Sequence, residues 1–282
     1  MEKIQAAIAK ARAAREGQAP AAPARPATGQ AAPRAQGQAR AGAGPRDAAW
    51  TALPEISPDP AHLKRQRLVA FEGGALATSF DVMRTRTLQQ MRANGWKRLA
   101  ITSPSAGCGK STMSLNLGFS LARQPEIHTM VVEMDMRRPS IAKALALRER
   151  HSVADVLAGA ARVEDNAVRV GRNLALVTSH SSARNPSDLL QSASVGRSLA
   201  AIEERYAPDI TIFDMPPMLV NDDALAFLQH VDCVLLVAAA GATTIKEVDT
   251  CERELAAHTN VMGVVLNKCR YMGRDYGNDY YN

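Results

Sequence analysis

A short apolar stretch followed by a glycine-rich turn, at residues 99–112, constrains the fold of this chain more than any other feature. Leu99–Thr102 is short and apolar, as a buried strand is, and the apolar residues of Met113–Leu121 recur at helical spacing. Between them lies Gly-Cys-Gly-Lys-Ser-Thr, at residues 107–112. A strand, a glycine-rich turn and a helix in this order are typical of a loop that binds phosphate groups.

The residue types of this loop suit a bound nucleotide. Gly107 and Gly109 allow backbone N–H groups to turn toward phosphate oxygens at the positive end of the following helix. Lys110 can reach the β- and γ-phosphates, and the Ser111 hydroxyl can bind Mg²⁺. We therefore expect the nucleotide to be bound by the residues Gly107, Cys108, Gly109, Lys110, Ser111 and Thr112.

Carboxylates follow two further apolar stretches that read as buried strands. Thr129–Val132 leads into Glu133 and Asp135, which alternate past the strand end, so that both can point into the crevice where parallel sheets bind ligands. Ile210–Phe213 leads into Asp214, at a position where a carboxylate orients Mg²⁺ or its waters. The alternative for the first pair is a solvated turn, since acidic residues are common at turns.

Further apolar runs alternate with helical patterns along the chain. Such alternation predicts an α/β fold with a doubly wound, mostly parallel sheet that is covered by helices on both faces. The remaining predicted strands are Leu174–Val177, Val234–Ala238 and Val261–Asn267. The predicted helices, besides the one after the glycine-rich turn, are residues 80–93, 141–147, 153–157, about 187–206 and 244–258.

The two ends of the chain differ in composition from its middle. Residues 1–16 carry a thin apolar stripe among basic side chains and predict a short basic amphipathic helix, either solvated or docked on a partner or an anionic surface. Residues 17–65 are rich in Ala, Pro and Gly and predict a disordered linker. Residues 271–282 hold four of the five tyrosines, interleaved with Gly, Asn and Asp, and predict a flexible tail. The folded domain is then expected at residues 66–270.

Charge and cysteine content narrow the function classes. The net charge is +6, but residues 1–65 carry ten Lys and Arg against five Asp and Glu, so the folded domain is nearly neutral and nucleic-acid binding is not expected. The four cysteines show no metal-ligand spacing, which fits a reduced, cytoplasmic protein. The longest apolar run, Cys233–Ala242, is too short to span a bilayer, so any membrane association is expected to depend on another protein.

Together these motifs resemble the bacterial tyrosine kinases (BY-kinases) of capsule and exopolysaccharide loci, which are P-loop NTPases. The similarity covers the chain from about residue 75 to its C-terminus. The segments that carry it are Ser103–Thr112 as Walker A, Glu133–Pro139 as Walker A′, Ile210–Pro217 as Walker B, the terminal tyrosine cluster, and two further segments, Asn185–Leu190 and Val265–Lys268.

The resemblance implies a role for each matching residue. The expected catalytic residues are Lys110, Glu133, Asp135 and Asp214, and the expected Mg²⁺ ligands are Ser111, Asp135 and Asp214. Asn267 is expected to contact the nucleotide. The expected phosphate acceptors are Tyr271, Tyr276, Tyr280 and Tyr281.

Two departures from the family pattern bear on these roles. Glu133 stands where relatives usually have Asp, a candidate base for the attacking tyrosine, and its carboxylate lies one methylene further from the backbone. The positions of the family's E-x-x-R-x-x-R oligomerisation helix hold Thr78, Asp81 and Arg84, so that only the last Arg of the pattern is kept.

The function implied by the resemblance is that of an ATP-dependent, Mg²⁺-requiring protein-tyrosine autokinase that regulates exopolysaccharide or capsule polymerisation and export. The implied partners are an activating transmembrane polysaccharide co-polymerase, further copies of the chain in a homo-oligomer, and a cognate tyrosine phosphatase. The protein is then expected in the cytoplasm, held at the inner membrane by its partner. Two alternatives remain: a MinD/ParA-like ATPase that transfers phosphate to water, and a nucleotide-gated scaffold without kinase activity.

Overall fold

Eight strands and ten α-helices alternate along the part of the chain that the computed structural model describes, residues 45–148 and 150–269. The strands are β1 (Glu55–Ile56), β2 (Arg98–Thr102), β3 (Thr129–Glu133), β4 (Ala167–Val170), β5 (Leu174–Val177), β6 (Ile210–Asp214), β7 (Cys233–Ala239) and β8 (Asn260–Asn267). The helices are α1 (Pro45–Thr51), α2 (Pro60–Arg65), α3 (Thr78–Asn94), α4 (Lys110–Ala122), α5 (Ile141–Ala144), α6 (Val153–Ala158), α7 (Pro186–Leu190), α8 (Ala193–Tyr206), α9 (Asp223–Phe227) and α10 (Ile245–His258). The predicted N-terminal helix, the first part of the predicted linker and the tyrosine tail lie outside the described residues.

The strands form one sheet of order β1-β4-β5-β3-β6-β2-β7-β8. β4 pairs antiparallel with β5, and the other neighbouring pairs are parallel. The predicted α/β fold with a doubly wound, mostly parallel sheet is therefore confirmed. Because β3, β6 and β2 are adjacent and parallel, their carboxyl ends meet at one edge, where ligands bind in sheets of this kind.

Both faces of the sheet are covered by apolar side chains, as the alternation along β3 illustrates. Met130 and Val132 belong to one core cluster and Val131, between them, to the other, and each is at most 1% exposed. Strands buried on both faces read as continuous apolar runs, which is why the central strands were predictable. No helix among the described residues combines the length and apolarity needed to cross a bilayer.

The structure differs from the predicted linker over residues 45–65, which hold α1, β1 and α2. Trp50 is 1% exposed, and its indole N–H donates to the Tyr206 carbonyl at 2.7 Å. Arg46 forms an ion pair with Asp209, and β1 pairs with β4. The high average content of Ala, Pro and Gly in the predicted linker obscured a few large apolar side chains. The contacts of these side chains are enough to hold residues 45–65 on the sheet. The prediction of disorder is wrong for residues 45–65.

Two predicted helices also differ in extent. The helix expected over about 187–206 is divided into α7 and α8, because Ser192 is extended (φ −75°, ψ 148°). The helix expected over 141–147 ends at Ala144, and Ala146 takes a left-handed conformation with φ of 53°. Neither break lies at a glycine or proline, so no local breaker residue marked it in the sequence.

Candidate functional site

The phosphate loop joins β2 to α4, as predicted, and its geometry depends on glycine. Gly107 and Gly109 have φ of 79° and 96°, values that side-chain-bearing residues rarely adopt. A Cβ at Gly109 would collide with the amide nitrogen of Asn267. That amide donates to the Cys108 carbonyl at 2.9 Å, so the last residue of β8 lies directly against the loop. The predicted loop residues and Asn267 are therefore brought together.

Lys110 begins α4 and is only 7% exposed. Burial raises the pKa of both Asp135 and Asp214, and the Lys110 charge opposes each rise, so the three groups lie in one electrostatic neighbourhood. The Gly109 N-cap supplies no side-chain hydrogen bond to the start of α4, so the first amides of this helix are available to an anion.

Asp214 ends β6 and is fully buried. One carboxylate oxygen, Oδ1, accepts from the Ser114 hydroxyl at 3.1 Å, whereas Oδ2 has no hydrogen-bond partner among the described residues. Burial raises the pKa of Asp214 to about 6, although the nearby Ser111 and Ser114 hydroxyls and the charge of Lys110 oppose the shift. An unpartnered buried carboxylate oxygen is costly unless a ligand satisfies it.

Asp135 lies in the turn that follows β3 and is half-buried. Its N–H and that of Met134 both donate to the Asp214 carbonyl, at 3.1 and 2.8 Å, so the Walker A′ turn is attached to the end of β6. Burial raises the pKa of the Asp135 carboxyl, and the Lys110 charge partly offsets the rise. Its Oδ1 accepts from the Arg138 N–H at 3.2 Å.

The donor set at this edge fits Mg²⁺. A hydroxyl and two carboxylates, one with an unpartnered oxygen, are hard oxygen ligands of the type that Mg²⁺ takes together with substrate phosphates and water. Among the described residues, no three His, Cys, Asp or Glu side chains form a cluster that could hold a metal by themselves. The candidate ligands are Ser111, Asp135 and Asp214.

The alternation past β3 predicted that Glu133 points into the crevice, but in the structure it does not. Its side chain is fully buried, and Oε1 accepts from the backbone N–H groups of Ser140 and Ile141, the latter at 2.8 Å. Oε2 accepts from the Ser179 N–H at 2.9 Å. Burial raises the pKa of Glu133 to about 7 in spite of these donors. The prediction that Glu133 and Asp135 face the same crevice is wrong, because the longer side chain turns back to the main chain.

Cys108 is 2% exposed, and its Sγ lies 3.6 Å from the hydroxyls of Ser105 and Thr243. Burial raises the pKa of the thiol, but the hydrogen bonds from these and neighbouring groups outweigh it, so that the pKa is lowered overall. The thiol is therefore enclosed within the loop rather than presented to solvent.

Sequence reasoning missed three side-chain contacts around the Walker A′ turn. The Ser140 hydroxyl donates to the Ser111 hydroxyl at 3.1 Å, which links the turn to the phosphate loop. Arg137 donates to both oxygens of Asp223, at 2.5 and 2.9 Å, and Ser187 donates to the same carboxylate at 2.6 Å. These contacts join residues 29 to 86 positions apart, so no local pattern could have found them.

The residues at the positions of the family's oligomerisation helix make contacts within the chain. Asp81 accepts from the Ser120 hydroxyl at 2.6 Å and from Arg123, and Arg84 donates to the Ser120 carbonyl at 3.0 Å. Ser120 and its neighbours belong to α4, so these side chains hold α3 against the helix that follows the phosphate loop.

The four predicted acceptor tyrosines lie outside the described residues.

Comparison with known proteins gives concordant matches. The family model described as ParA, NUBPL iron-transfer P-loop NTPase, matches residues 96–281. Tyrosine-protein kinase CpsD of Streptococcus pneumoniae is 28% identical over 67% of this chain and 83% of its own length, and YwqD of Bacillus subtilis is 30% identical over 61% and 72%. Tyrosine-protein kinase wzc of Salmonella typhi is 31% identical over 64% of this chain but only 25% of its own length, so the chain spans a quarter of that relative.

Solved structures agree with these matches. The kinase domain of Escherichia coli tyrosine kinase ETK is 25% identical, with a TM-score of 0.65 over 75% of this chain and 84% of that domain. MinD of Pyrococcus horikoshii, complexed with Mg-ADP, is 18% identical with a TM-score of 0.50 over 60% of this chain and 69% of its own, and shows likeness of fold alone.

Proposed function

Because this chain belongs to the bacterial tyrosine-protein kinases, a group of P-loop NTPases within the ParA family, we propose that it transfers the γ-phosphoryl group of ATP to tyrosines of its own C-terminal tail. One observation on this chain supports the proposal independently of its family membership. The last residue of β8, Asn267, lies against the phosphate loop, and four of the five tyrosines follow within fifteen residues of it. The segment of sequence that carries the expected acceptors therefore follows a strand whose last residue contacts the expected phosphate-binding loop.

Phosphoryl transfer of this kind depends mainly on positioning and on neutralising charge, because the transition state is loose. The amides of the phosphate loop and the Lys110 ammonium would hold the β- and γ-phosphates and offset the charge that gathers on the leaving oxygen. Magnesium bound to Ser111, Asp135 and Asp214 would supply further electrostatic stabilisation of the phosphate oxygens. Burial of Lys110 and Asp214 strengthens these interactions, since the local dielectric is low.

The wider role that we propose follows from the family resemblance. The kinase would act in exopolysaccharide or capsule polymerisation and export, under a transmembrane co-polymerase that activates it and holds it at the inner membrane. Oligomerisation of the chain and reversal by a cognate tyrosine phosphatase belong to the same proposal, as does the division of the chain into a kinase domain ending near residue 270 and a tail.

The proposal is tested by incubating purified protein with Mg·ATP and measuring phosphotyrosine and free phosphate in the same sample. Lys110→Ala is expected to abolish phosphotyrosine while circular dichroism stays unchanged, since the ammonium serves the phosphates. Lys246→Ala removes an exposed lysine of α10 and is expected to behave as wild type. Phosphotyrosine at the wild-type level in Lys110→Ala would refute the site, and free phosphate without phosphotyrosine in the wild type would identify a ParA-like ATPase instead.

A further inference from the structure

The Glu133 carboxylate is surrounded by backbone donors rather than by the crevice. Three N–H groups, those of Ser140, Ile141 and Ser179, point at its two oxygens, and the side chain has no exposed surface. A carboxylate offers about four lone-pair sites, so three are already in use. A general base must come within about 3 Å of the proton that it removes. The Glu133 oxygens make contacts of this length with main-chain N–H groups and not with a substrate.

We propose that Glu133 is a positioning residue that holds Ser140 against Ser111 of the phosphate loop, and not the base that accepts the tyrosine proton. The inference that Glu133 is not the base rests on the proposed kinase function. The inference that Glu133 positions Ser140 concerns Mg²⁺ binding and is independent of tyrosine transfer.

The contacts form a continuous chain from Glu133 to the candidate magnesium ligand. Ser140 is the N-cap of α5, yet its hydroxyl makes no capping hydrogen bond. Amides at a helix N-terminus need acceptors, and Oε1 of Glu133 takes that role for residues 140 and 141. The Ser140 hydroxyl is thereby free to donate to Ser111, at 3.1 Å. The donated hydrogen bond orients the Ser111 oxygen and leaves its second lone pair for a cation.

The second carboxylate oxygen ties the same turn to the other side of the sheet. Oε2 accepts from Ser179, which follows β5, so a single side chain joins the end of β3, the start of α5 and the loop after β5. An aspartate would be shorter by one C–C bond, about 1.5 Å. The extra methylene of Glu133 is what spans these elements, and this accounts for glutamate at this position.

The test separates positioning from base catalysis by pairing two substitutions at Glu133 with one at Ser140. Glu133→Gln keeps Oε1 as an acceptor for the two amides of α5 and loses only the bond from Ser179. The kinase rate of Glu133→Gln is therefore expected within about tenfold of wild type, whereas loss of a general base costs about 10²–10⁴-fold. Glu133→Ala loses the whole contact set.

Magnesium binding is measured independently of kinase activity, by titrating Mg²⁺ into the full chain in the presence of a fluorescent ADP analogue. Groups that orient a metal ligand typically change affinity by about tenfold or more when removed. Ser140→Ala and Glu133→Ala are expected to raise the half-saturating Mg²⁺ concentration by about tenfold, with nucleotide binding in the absence of Mg²⁺ unchanged. Ser198→Ala, which removes a hydroxyl bonded to the Leu157 carbonyl, is the matched control and should not shift it.

The outcomes distinguish this proposal from the proposed function. A loss of 10²-fold or more in Glu133→Gln with unaltered Mg²⁺ titration would make Glu133 the base and overturn the inference. An unshifted titration in Ser140→Ala would overturn it equally, even if Glu133→Ala does not fold. Absence of phosphotyrosine in the wild type would refute the kinase function, yet the Mg²⁺ titration would still report on the positioning contacts.

Discussion

Glu133 and Asp214 occupy paired positions on neighbouring strands, and both are fully buried. Burial raises the pKa of each, from 4.5 to about 7 for Glu133 and from 3.8 to about 6 for Asp214, and the Asp214 charge adds to the shift at Glu133. The differences in their surroundings assign different roles to the two acids. Backbone donors satisfy Glu133, whereas Asp214 keeps one oxygen without a partner among the described residues.

These shifts predict an unusual dependence of stability on pH. In the folded protein Glu133 keeps its proton up to about pH 7 and Asp214 up to about pH 6, whereas in the unfolded chain the two release theirs near pH 4.5 and 3.8. The free energy of unfolding therefore falls as pH rises through these ranges. Glu133→Gln removes one of the two groups. Urea unfolding of the nucleotide-free protein at pH 5 to 8 is therefore expected to give a shallower pH dependence for Glu133→Gln than for wild type.

The comparison of wild type with Glu133→Gln isolates the contribution of the Glu133 carboxylate to the pH dependence of stability. His128 and His230 have lowered pKa values because of burial, and their effect runs in the opposite direction, but they are common to both proteins. Parallel curves for wild type and Glu133→Gln would mean that Glu133 does not hold its proton as burial requires.

At the scale of elements, the Walker A′ turn is held by a second set of contacts that involves Asp223 at the start of α9. Asp223 is 1% exposed and accepts from Arg137 and Ser187, so it joins the turn to α7 and α9. Asp223→Ala is expected to lower the free energy of unfolding by about 1–3 kcal/mol, because Arg137 and Ser187 lose charge-assisted hydrogen bonds to a buried carboxylate. Urea unfolding monitored by circular dichroism measures the change.

The neighbouring Asp222 provides the matched control. It is exposed, and its Oδ1 lies 2.9 Å from the Ser187 hydroxyl, whose single proton is directed to the nearer Asp223 carboxylate. Asp222→Ala is expected to change stability by less than about 0.5 kcal/mol. Equal losses in the two variants would show that Asp223 does not join these elements.

The elements that could be predicted from the sequence are those in which local pattern and tertiary environment agree. β3 and β6 are continuous apolar runs that end on a carboxylate, and both were found within a residue of their bounds. The apolar run of β4 is interrupted by Arg169, and β1 has only two residues, so neither offers a continuous apolar signal. Glycine and lysine of the phosphate loop are required by local chemistry and were predictable for that reason. The direction of Glu133 is set by the backbone N–H groups of Ser140 and Ile141 together with that of Ser179, 46 residues away, and no sequence pattern records these contacts.

At the scale of the whole molecule, α1 and β1 extend the folded unit beyond the boundary that composition predicted. Trp50 packs edge-on against His128, with ring centroids 4.8 Å apart, and donates its N–H to Tyr206. Because the indole is almost fully buried, Trp50→Ala is expected to cost about 3–5 kcal/mol in the free energy of unfolding. Urea unfolding measures this cost.

The control for Trp50 is a large apolar residue that the fold leaves in solvent. Leu76 is 72% exposed, and Leu76→Ala is expected to change stability by less than about 0.5 kcal/mol. If Trp50→Ala cost no more than Leu76→Ala, residues 45–51 would not be part of the folded unit in solution, and the composition-based boundary would be restored.

The central claim, that this chain phosphorylates its own tail, is tested most directly by mapping phosphotyrosine by mass spectrometry after incubation with Mg·ATP. The fifth tyrosine, Tyr206, is an internal control, because it is fully buried and burial raises its pKa to about 12. We expect phosphate on the tail tyrosines Tyr271, Tyr276, Tyr280 and Tyr281, none on Tyr206, and none anywhere in Lys110→Ala. Conversion of ATP to ADP and free phosphate with an unmodified tail would contradict the account.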